Sequence, residues 1–157
     1  MINNDILRSL RYSFDFSDQE MIDIFALGDK ETTREEVCAW LKKEDHLDFV
    51  FCEDHDFCAF LNGFINLKRG KQEGAPVREE QELSNNLVLK KIKIALSLKS
   101  EEVLALLQLV EVKMSKHELS ALFRQKGHKN YKECKGQFLR NFLKGLQKKY
   151  RPSKKGK

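Results

Sequence analysis

Long apolar runs are missing from this sequence, and their absence excludes a membrane-spanning helix. No stretch approaches the roughly 18 to 20 apolar residues that are needed to cross a bilayer. The first residues, MINNDILRSLRYSFDF, also lack the apolar core and small-residue cleavage site of a signal peptide. We therefore expect a cytoplasmic protein with no membrane partner, whose four cysteines stay reduced.

Strand patterns are missing as well. No segment shows sustained alternation of apolar and polar residues between hairpin turn signals. The composition, with 41% apolar and 34% charged residues, is typical of a soluble globular protein with a packed core. These observations predict an all-α, multihelical fold.

The sequence contains an internal repeat. Shifted by 82 residues, positions 3–70 align with 85–152 without a gap, and thirteen of the sixty-eight pairs are identical. The apolar positions coincide too, as in Leu10 and Ile92 or Phe25 and Leu107. A matched apolar pattern over this length predicts that the same fold occurs twice.

Each copy is predicted to form four helices, so the chain is two tandem four-helix repeats. The second helix opens with a capping box at Ser17 and Glu20, and Gly28 ends it. The third helix has such a box in both copies, at Thr33–Glu36 and Ser115–Glu118. The fourth helix shows the i, i+3, i+4, i+7 spacing of one buried face at Phe57, Phe60, Leu61 and Phe64, and again at Leu139, Phe142, Leu143 and Leu146.

The predicted organisation has four parts. Residues 1–70 form helical repeat 1, 71–84 a linker, 85–152 helical repeat 2, and 153–157 a disordered tail. The repeats are expected to be related by an approximate twofold or by a translation. Whether they share one core, for example through their last helices, is left open.

Two kinds of residue recur at equivalent places and receive structural interpretations. Gly63 and Gly145 interrupt a strong helical pattern, where glycine costs about 1 kcal/mol relative to alanine, so we predict a close approach of two helices. The pairs Asn3–Asn4 and Asn85–Asn86 precede the first helix of each copy and are predicted to be helix N-caps.

Charge is divided unequally between the repeats. Residues 1–70 hold 8 Lys and Arg against 15 Asp and Glu, a net charge of −7. Residues 85–157 hold 19 against 5, a net charge of +14. Repeat 1 is therefore acidic and repeat 2 basic, which indicates a polyanionic partner or an electrostatic pairing.

The duplication acts as an internal control, because a residue that the fold requires should occur in both copies. Seven cations occur in repeat 2 alone. We predict them as the polyanion-binding residues: Lys126, Lys129, Lys132, Lys135, Arg140, Lys144 and Lys148. Their counterparts in repeat 1 are, in the same order, Glu44, Leu47, Val50, Glu53, Cys58, Asn62 and Asn66.

Two partners fit this pattern. Lysines near Tyr131 and Tyr150 suit nucleic acid, whose phosphates they would neutralise while a ring stacks on a base. A helix-turn-helix reading, with residues 115–126 as the inserted helix, is also compatible with the sequence. The alternative is a protein-interaction module that docks acidic protein surfaces, or a homo-oligomer that assembles head-to-tail through the oppositely charged repeats. A solvated, lysine-rich face that aids solubility and has no partner is the third interpretation.

Catalytic and metal sites are not predicted. The Gly-rich phosphate loop and the dinucleotide fingerprint are both absent. His46, Cys52, His55 and Cys58 have the side chains of a zinc site, but repeat 2 keeps only His128 and Cys134 of the four. We interpret this retained pair as a loop histidine bonded to backbone and a small buried thiol. We expect no enzyme, no metal and no cofactor.

The chain resembles the YehS-like family of small bacterial proteins over nearly its whole length. The resemblance is carried by Asn3-Asn4-Asp5-Ile6-Leu7-Arg8, LNGFINLKRGK ending at Lys71, NNLVLKKIKIALSLK from Asn85, and HKNYKECKGQFLRNFLKGL from His128. It implies an all-helical, two-repeat cytoplasmic protein of unknown function, and it supplies no catalytic residues.

Overall fold

The computed structural model describes residues 1–71 and 83–151. Within these ranges the chain is helical and contains no strand, which confirms the all-α prediction. The predicted linker lies mostly, and the predicted disordered tail wholly, outside the described residues. The helices are α1 (Asn3–Phe14), α2 (Asp18–Leu27), α3 (Arg34–Trp40), α4 (Asp54–Arg69), α5 (Asn85–Ala95), α6 (Ser100–Gln108), α7 (Lys116–Ala121) and α8 (Gly136–Tyr150). None of these helices has the length and apolarity required to pass through a bilayer.

Local hydrogen bonds set the helix starts that the sequence predicts. The Thr33 side chain accepts a hydrogen bond from the Glu36 amide at 3.1 Å, and the Glu36 carboxylate accepts one from the Thr33 amide at 2.9 Å. These bonds satisfy amides that have no partner within the helix. The same pair of bonds recurs at Ser17–Glu20 and at Ser115–Glu118. All three predicted capping boxes are confirmed.

The asparagine pairs are not N-caps, so that prediction is wrong. The capping positions are Ile2 and Ser84, one residue before each pair. Asn4 instead points into the core and is fully buried. Its Nδ2 donates to the carbonyls of Trp40 at 2.8 Å and Val50 at 2.9 Å, and its Oδ1 accepts from the Cys52 amide at 3.0 Å. One side chain thus ties α1 to both ends of the segment between α3 and α4.

Repeat 2 contains the same arrangement at equivalent positions. Asn86 Nδ2 donates to the carbonyls of Leu122 at 3.0 Å and Lys132 at 2.9 Å, while Asn86 Oδ1 accepts from the Cys134 amide at 2.8 Å. We call each set of three bonds the asparagine clamp. Its recurrence shows that the two copies share their tertiary contacts as well as their helices.

The repeats exchange their first and last helices. The last helix of repeat 1, α4, packs against α5, the first helix of repeat 2, and α1 packs in the same way against α8. The remaining helices make their main contacts within their own repeat, because α2 packs on α3 and α4 whereas α6 packs on α7 and α8. Buried residues of both repeats form one continuous apolar core. The question that the sequence leaves open is thereby answered.

An arginine closes each of the exchanged contacts. Arg69 at the end of α4 donates to the Ser97 hydroxyl at 2.8 Å, just beyond α5. Arg151, its counterpart after α8, donates to the Tyr12 carbonyl at 2.8 Å and to Asp15 at 3.2 Å, at the end of α1. A cation is favourable beside the negative end of a helix dipole. Replacing each helix by its equivalent in the other repeat turns the α4–α5 contact into the α8–α1 contact. The two repeats therefore make the same contact with each other, which is the property of an approximate twofold axis.

The exchanged helices begin at one end of the molecule. Asn3 donates to Asp54 at 2.8 Å, which joins the starts of α1 and α4, and the rings of Phe14 and Phe64 lie 5.3 Å apart towards their other ends. These two helices therefore run in the same direction. The arginine hydrogen bonds join the carboxyl end of α4 to that of α5, and the carboxyl end of α8 to that of α1. All four helices therefore run in the same direction. Loop 1 (residues 41–53, before α4) and loop 2 (residues 122–135, before α8) consequently lie at the same end, which we call the loop end.

Gly63 lies where α4 crosses the end of α2. A Cβ atom built on Gly63 would overlap the carbonyl oxygen of Ile24, and one built on Gly28 would overlap that of Ala59. In repeat 2, a Cβ on Gly145 would overlap the backbone of α6. The predicted close approach of helices at both glycines is confirmed.

Replacing Gly63 by alanine should therefore destabilise the fold, although alanine is the better helix former. We expect the free energy of unfolding to fall by about 1–3 kcal/mol, because the helix backbones have to separate. Urea denaturation measures this. Gly136→Ala is the matched control, since nothing lies within 4 Å of the position of its Cβ. Equal stabilities of the two variants would contradict this account of Gly63.

The asparagine clamp gives a second stability prediction. Asn4→Ala and Asn86→Ala each leave two carbonyls and one amide without their partner, at a cost of about 1–3 kcal/mol for each group that stays buried. We expect similar losses from the two variants, because their contacts are the same. Asn130→Ala, at an exposed position of loop 2, is the control and should change stability by less than about 0.5 kcal/mol. A clamp variant as stable as this control would refute the assignment.

Candidate polyanion-binding surface

Hydrogen bonds to the rest of repeat 2 hold the backbone of loop 2 in place. The Lys132 amide donates to the Ala121 carbonyl at 3.0 Å, next to the bond that Asn86 makes to the Lys132 carbonyl. His128 Nδ1 accepts from the Asn130 amide at 3.0 Å and shapes the turn. Loop 2 therefore presents its side chains from a backbone that is attached to the core.

Loop 1 has the same backbone contacts, with different side chains. The Val50 amide donates to the Ala39 carbonyl at 3.2 Å, and His46 Nδ1 accepts from the Asp48 amide at 3.0 Å. The thiols of Cys52 and Cys134 are buried at equivalent places. The interpretation of the retained His and Cys as a loop histidine and a small buried thiol is thus confirmed.

All seven predicted cations are exposed. Four lie on loop 2 (Lys126, Lys129, Lys132 and Lys135), and three lie four residues apart along one side of α8 (Arg140, Lys144 and Lys148). At a rise of roughly 1.5 Å per residue, Lys148 lies about 20 Å from Lys135, which is the N-cap of α8. The seven therefore extend from the loop end along the length of α8.

Few acidic groups neutralise these cations. Lys135 lies 3.7 Å from Glu133, an exposed pair that is screened by solvent, and Arg140 donates to the uncharged side chain of Gln137 at 3.2 Å. Within residues 1–71 and 83–151, the other five form no ion pair. Their positive charge is available to a partner.

The counterparts in repeat 1 fall into two groups. On loop 1, the equivalent positions Glu44, Leu47, Val50 and Glu53 are exposed, as the lysines of loop 2 are. On α4 the environment differs, because Cys58 is buried and Asn66 donates to the Leu27 carbonyl at 2.7 Å. The comparison between copies therefore isolates a surface difference at the four loop positions, whereas along the last helix burial changes as well.

A buried lysine is a feature that the sequence did not indicate. Lys91 on α5 is 4% exposed, and its Nζ donates to Asn62 Oδ1 on α4 at 2.7 Å. Burying an ammonium group is costly unless polar atoms surround it. Its counterpart in repeat 1 is Ser9, so nothing in the repeat pattern marks this position. Lys91 belongs to the contact between the repeats and not to the basic surface.

Two features that the sequence suggested for nucleic-acid binding are Tyr150 and the helix over residues 115–126. The ring of Tyr150 is half-buried: it lies 5.0 Å from that of Phe14, and Lys149 Nζ lies 5.4 Å from its centre, so these contacts would compete with stacking on a base. The helix predicted over residues 115–126 ends at Ala121 and has only 6 residues. It spans about 9 Å, which is less than two helical turns. The predicted bounds of that helix are therefore wrong, and the helix-turn-helix interpretation stays a prediction that rests on a shorter helix. Tyr131, half-buried on loop 2, stays an aromatic candidate.

The thiols of Cys52 and Cys134 have raised pKa values. Burial raises the pKa of Cys52 to about 12 and that of Cys134 to about 11, and neighbouring carboxylates add to both shifts. A thiol with so high a pKa is protonated at neutral pH and is a poor nucleophile. In the described parts of the chain, no group of three or more His, Cys, Asp and Glu side chains is placed to hold a metal ion.

Comparison with known proteins identifies relatives without an assigned activity. The family described as "Protein of unknown function (DUF1456)" matches residues 3–70 and 85–152. The uncharacterized protein YehS of Escherichia coli (strain K12) is 47% identical over 147 residues, which are 93% of this chain and 94% of that protein. No solved structure matches the chain. Since the family model matches both repeats, the chain belongs to the DUF1456 family.

Proposed function

We propose that this protein is a non-enzymatic polyanion binder, with nucleic acid as its ligand class. The binding residues are the four lysines of loop 2 and the cations of α8, namely Lys126, Lys129, Lys132, Lys135, Arg140, Lys144 and Lys148. The supporting observation is the exposure of these seven cations, most of them without an anionic partner in the described residues.

The loop lysines carry most of this argument. Equivalent positions of loop 1 are equally exposed and have the same backbone contacts, yet they bear no cation. Packing therefore does not explain why four lysines stand there in repeat 2. Clustered lysines raise the local concentration of a polyanion and release its condensed counterions on binding.

The shape of the basic surface favours contacts with a phosphate backbone over reading of base sequence. Lysine and arginine side chains along a helix side and a loop reach phosphates, whereas base readout requires an element inside a groove. In the part of the chain that the structure describes, the four loop lysines lie outside the helices, between α7 and α8. We therefore expect binding with little sequence preference and a strong dependence on salt.

Titration of a fluorescently labelled DNA duplex tests the proposal. If six or seven phosphates are neutralised, affinity should fall roughly 1,000-fold between about 50 and about 200 mM salt. Arg140→Gln, Lys144→Asn and Lys148→Asn combined should reduce the salt slope by about 3, because three cations are lost. The two asparagines are the residues that stand at the equivalent positions of α4.

The control removes the same number of charges elsewhere on repeat 2, through Lys90→Gln, Lys99→Gln and Lys113→Gln at exposed positions. It should leave most of the affinity. An equal loss in control and test variants would show that only net charge matters. No binding at the lower salt concentration would refute the proposal, and binding of heparin without DNA or RNA would reject nucleic acid as the ligand class.

A further inference from the structure

Loop 1 exposes large apolar side chains at the loop end. Leu47 is 100% exposed, Val50 52% and Phe51 42%. Single exposed apolar residues are common, but three within five positions of one ordered loop are typical of an interaction surface. The backbone of loop 1 is pinned by the asparagine clamp, so these side chains are displayed and do not collapse onto the core.

Acidic side chains surround this apolar group. Glu44, Asp45, Asp48 and Glu53 are exposed, and none of them forms an ion pair with any residue in the described parts of the chain. A partner for loop 1 therefore needs both positive charge and apolar surface. Lysine side chains provide both, because their methylene stems cover apolar groups while their ammonium groups remain available for pairing.

Loop 2 of the same protein has this chemistry. The structure aligns four positions of the loops in pairs: Glu44 with Lys126, Leu47 with Lys129, Val50 with Lys132, and Glu53 with Lys135. Both loops have equivalent backbone hydrogen bonds, so these positions are held alike, with acidic and apolar side chains on loop 1 and lysines on loop 2. The complementary surface for loop 1 is thus present on every copy of the chain.

The placement of the loops determines which assembly is feasible. Both lie at the loop end, on opposite sides of the approximate twofold. A second copy, rotated by 180° about an axis perpendicular to the line that joins the loops, meets the first end to end. Loop 1 of each copy then lies on loop 2 of the other, which makes two equal contacts and closes the assembly.

We propose that the protein forms a closed, end-to-end dimer in which loop 1 of each subunit docks on loop 2 of its partner. The alternative end-to-end arrangement places loop 1 on loop 1 and loop 2 on loop 2, where like charges repel. A head-to-tail chain of molecules would use each contact once and leave its ends unsatisfied. The closed dimer goes beyond polyanion binding, because it uses the acidic loop and needs no polyanion.

The chain itself provides the variants for a test. A basic variant carries the loop 2 residues in loop 1 (Glu44→Lys, Leu47→Lys, Val50→Lys and Glu53→Lys). Both loops of one copy then repel both loops of a second copy. An acidic variant carries the loop 1 residues in loop 2 (Lys126→Glu, Lys129→Leu, Lys132→Val and Lys135→Glu). Each introduced residue already occurs at the equivalent position of the other repeat. Circular dichroism verifies that the variants are folded.

Sedimentation at low salt measures the assembly. We expect the natural chain to have twice the mass of the 18.4 kDa monomer, and each variant alone to be monomeric. An equimolar mixture of the two variants should form a heterodimer, because every contact is again between opposite charges. The natural dimer should weaken when salt is raised towards about 1 M, because the Debye length falls to roughly 3 Å and charges farther apart no longer attract each other.

Several results would overturn the dimer. They are a monomeric natural chain at low salt, variants that dimerise alone, or a mixture of folded variants without a heterodimer. The first of these needs no variant to fold. The basic variant also separates this proposal from the preceding one, because it keeps all seven cations of repeat 2. It should bind DNA while failing to dimerise, so loss of one property leaves the other measurable.

Discussion

The exchange of helices between the repeats is the contact on which the rest of the structure depends. Each repeat places its first helix against the last helix of the other, so the apolar faces of α1 and α5 are completed only across the duplication. Arg69 and Arg151 close the two contacts at their ends. The two repeats therefore form one domain with a shared core, and they are not two separate domains joined by a linker. The core between the repeats is mainly apolar, and the charged groups at this contact, such as Lys91 and Arg151, have polar partners across it.

The asparagine clamps connect this core to the surface. Asn4 and Asn86 are buried in the first turn of α1 and α5, yet all three of their bonds go to the segments that run into loops 1 and 2. The loop backbones are consequently specified by buried hydrogen bonds, which are costly to leave unmade. The exposed side chains of the loops make few of these bonds, so they were able to diverge. Two loops with equivalent backbone hydrogen bonds now carry opposite net charge.

The sequence predicts the local features well and the long-range ones poorly. Periodicity and capping boxes identify the helices, and the glycines at positions 63 and 145 mark close packing, because these signals arise within a few residues. The role of Asn4 escaped prediction since its partners lie 36 and 46 positions away, while its propensity favours an N-cap. The helix exchange was hidden for a related reason. An apolar stripe shows which face is buried, but not which helix covers it.

The functional inference depends on where the two copies are comparable. On α8, Arg140, Lys144 and Lys148 are exposed, but the equivalent side of α4 is partly covered, so their absence from repeat 1 has a packing cause. On the loops there is no such cause, and the four lysines of loop 2 are the stronger evidence for a partner. These lysines serve both proposals. A polyanion and the loop 1 of a second copy would then compete for the same side chains, whereas the cations of α8 remain open in the dimer. Binding of a polyanion at loop 2 would therefore separate the subunits.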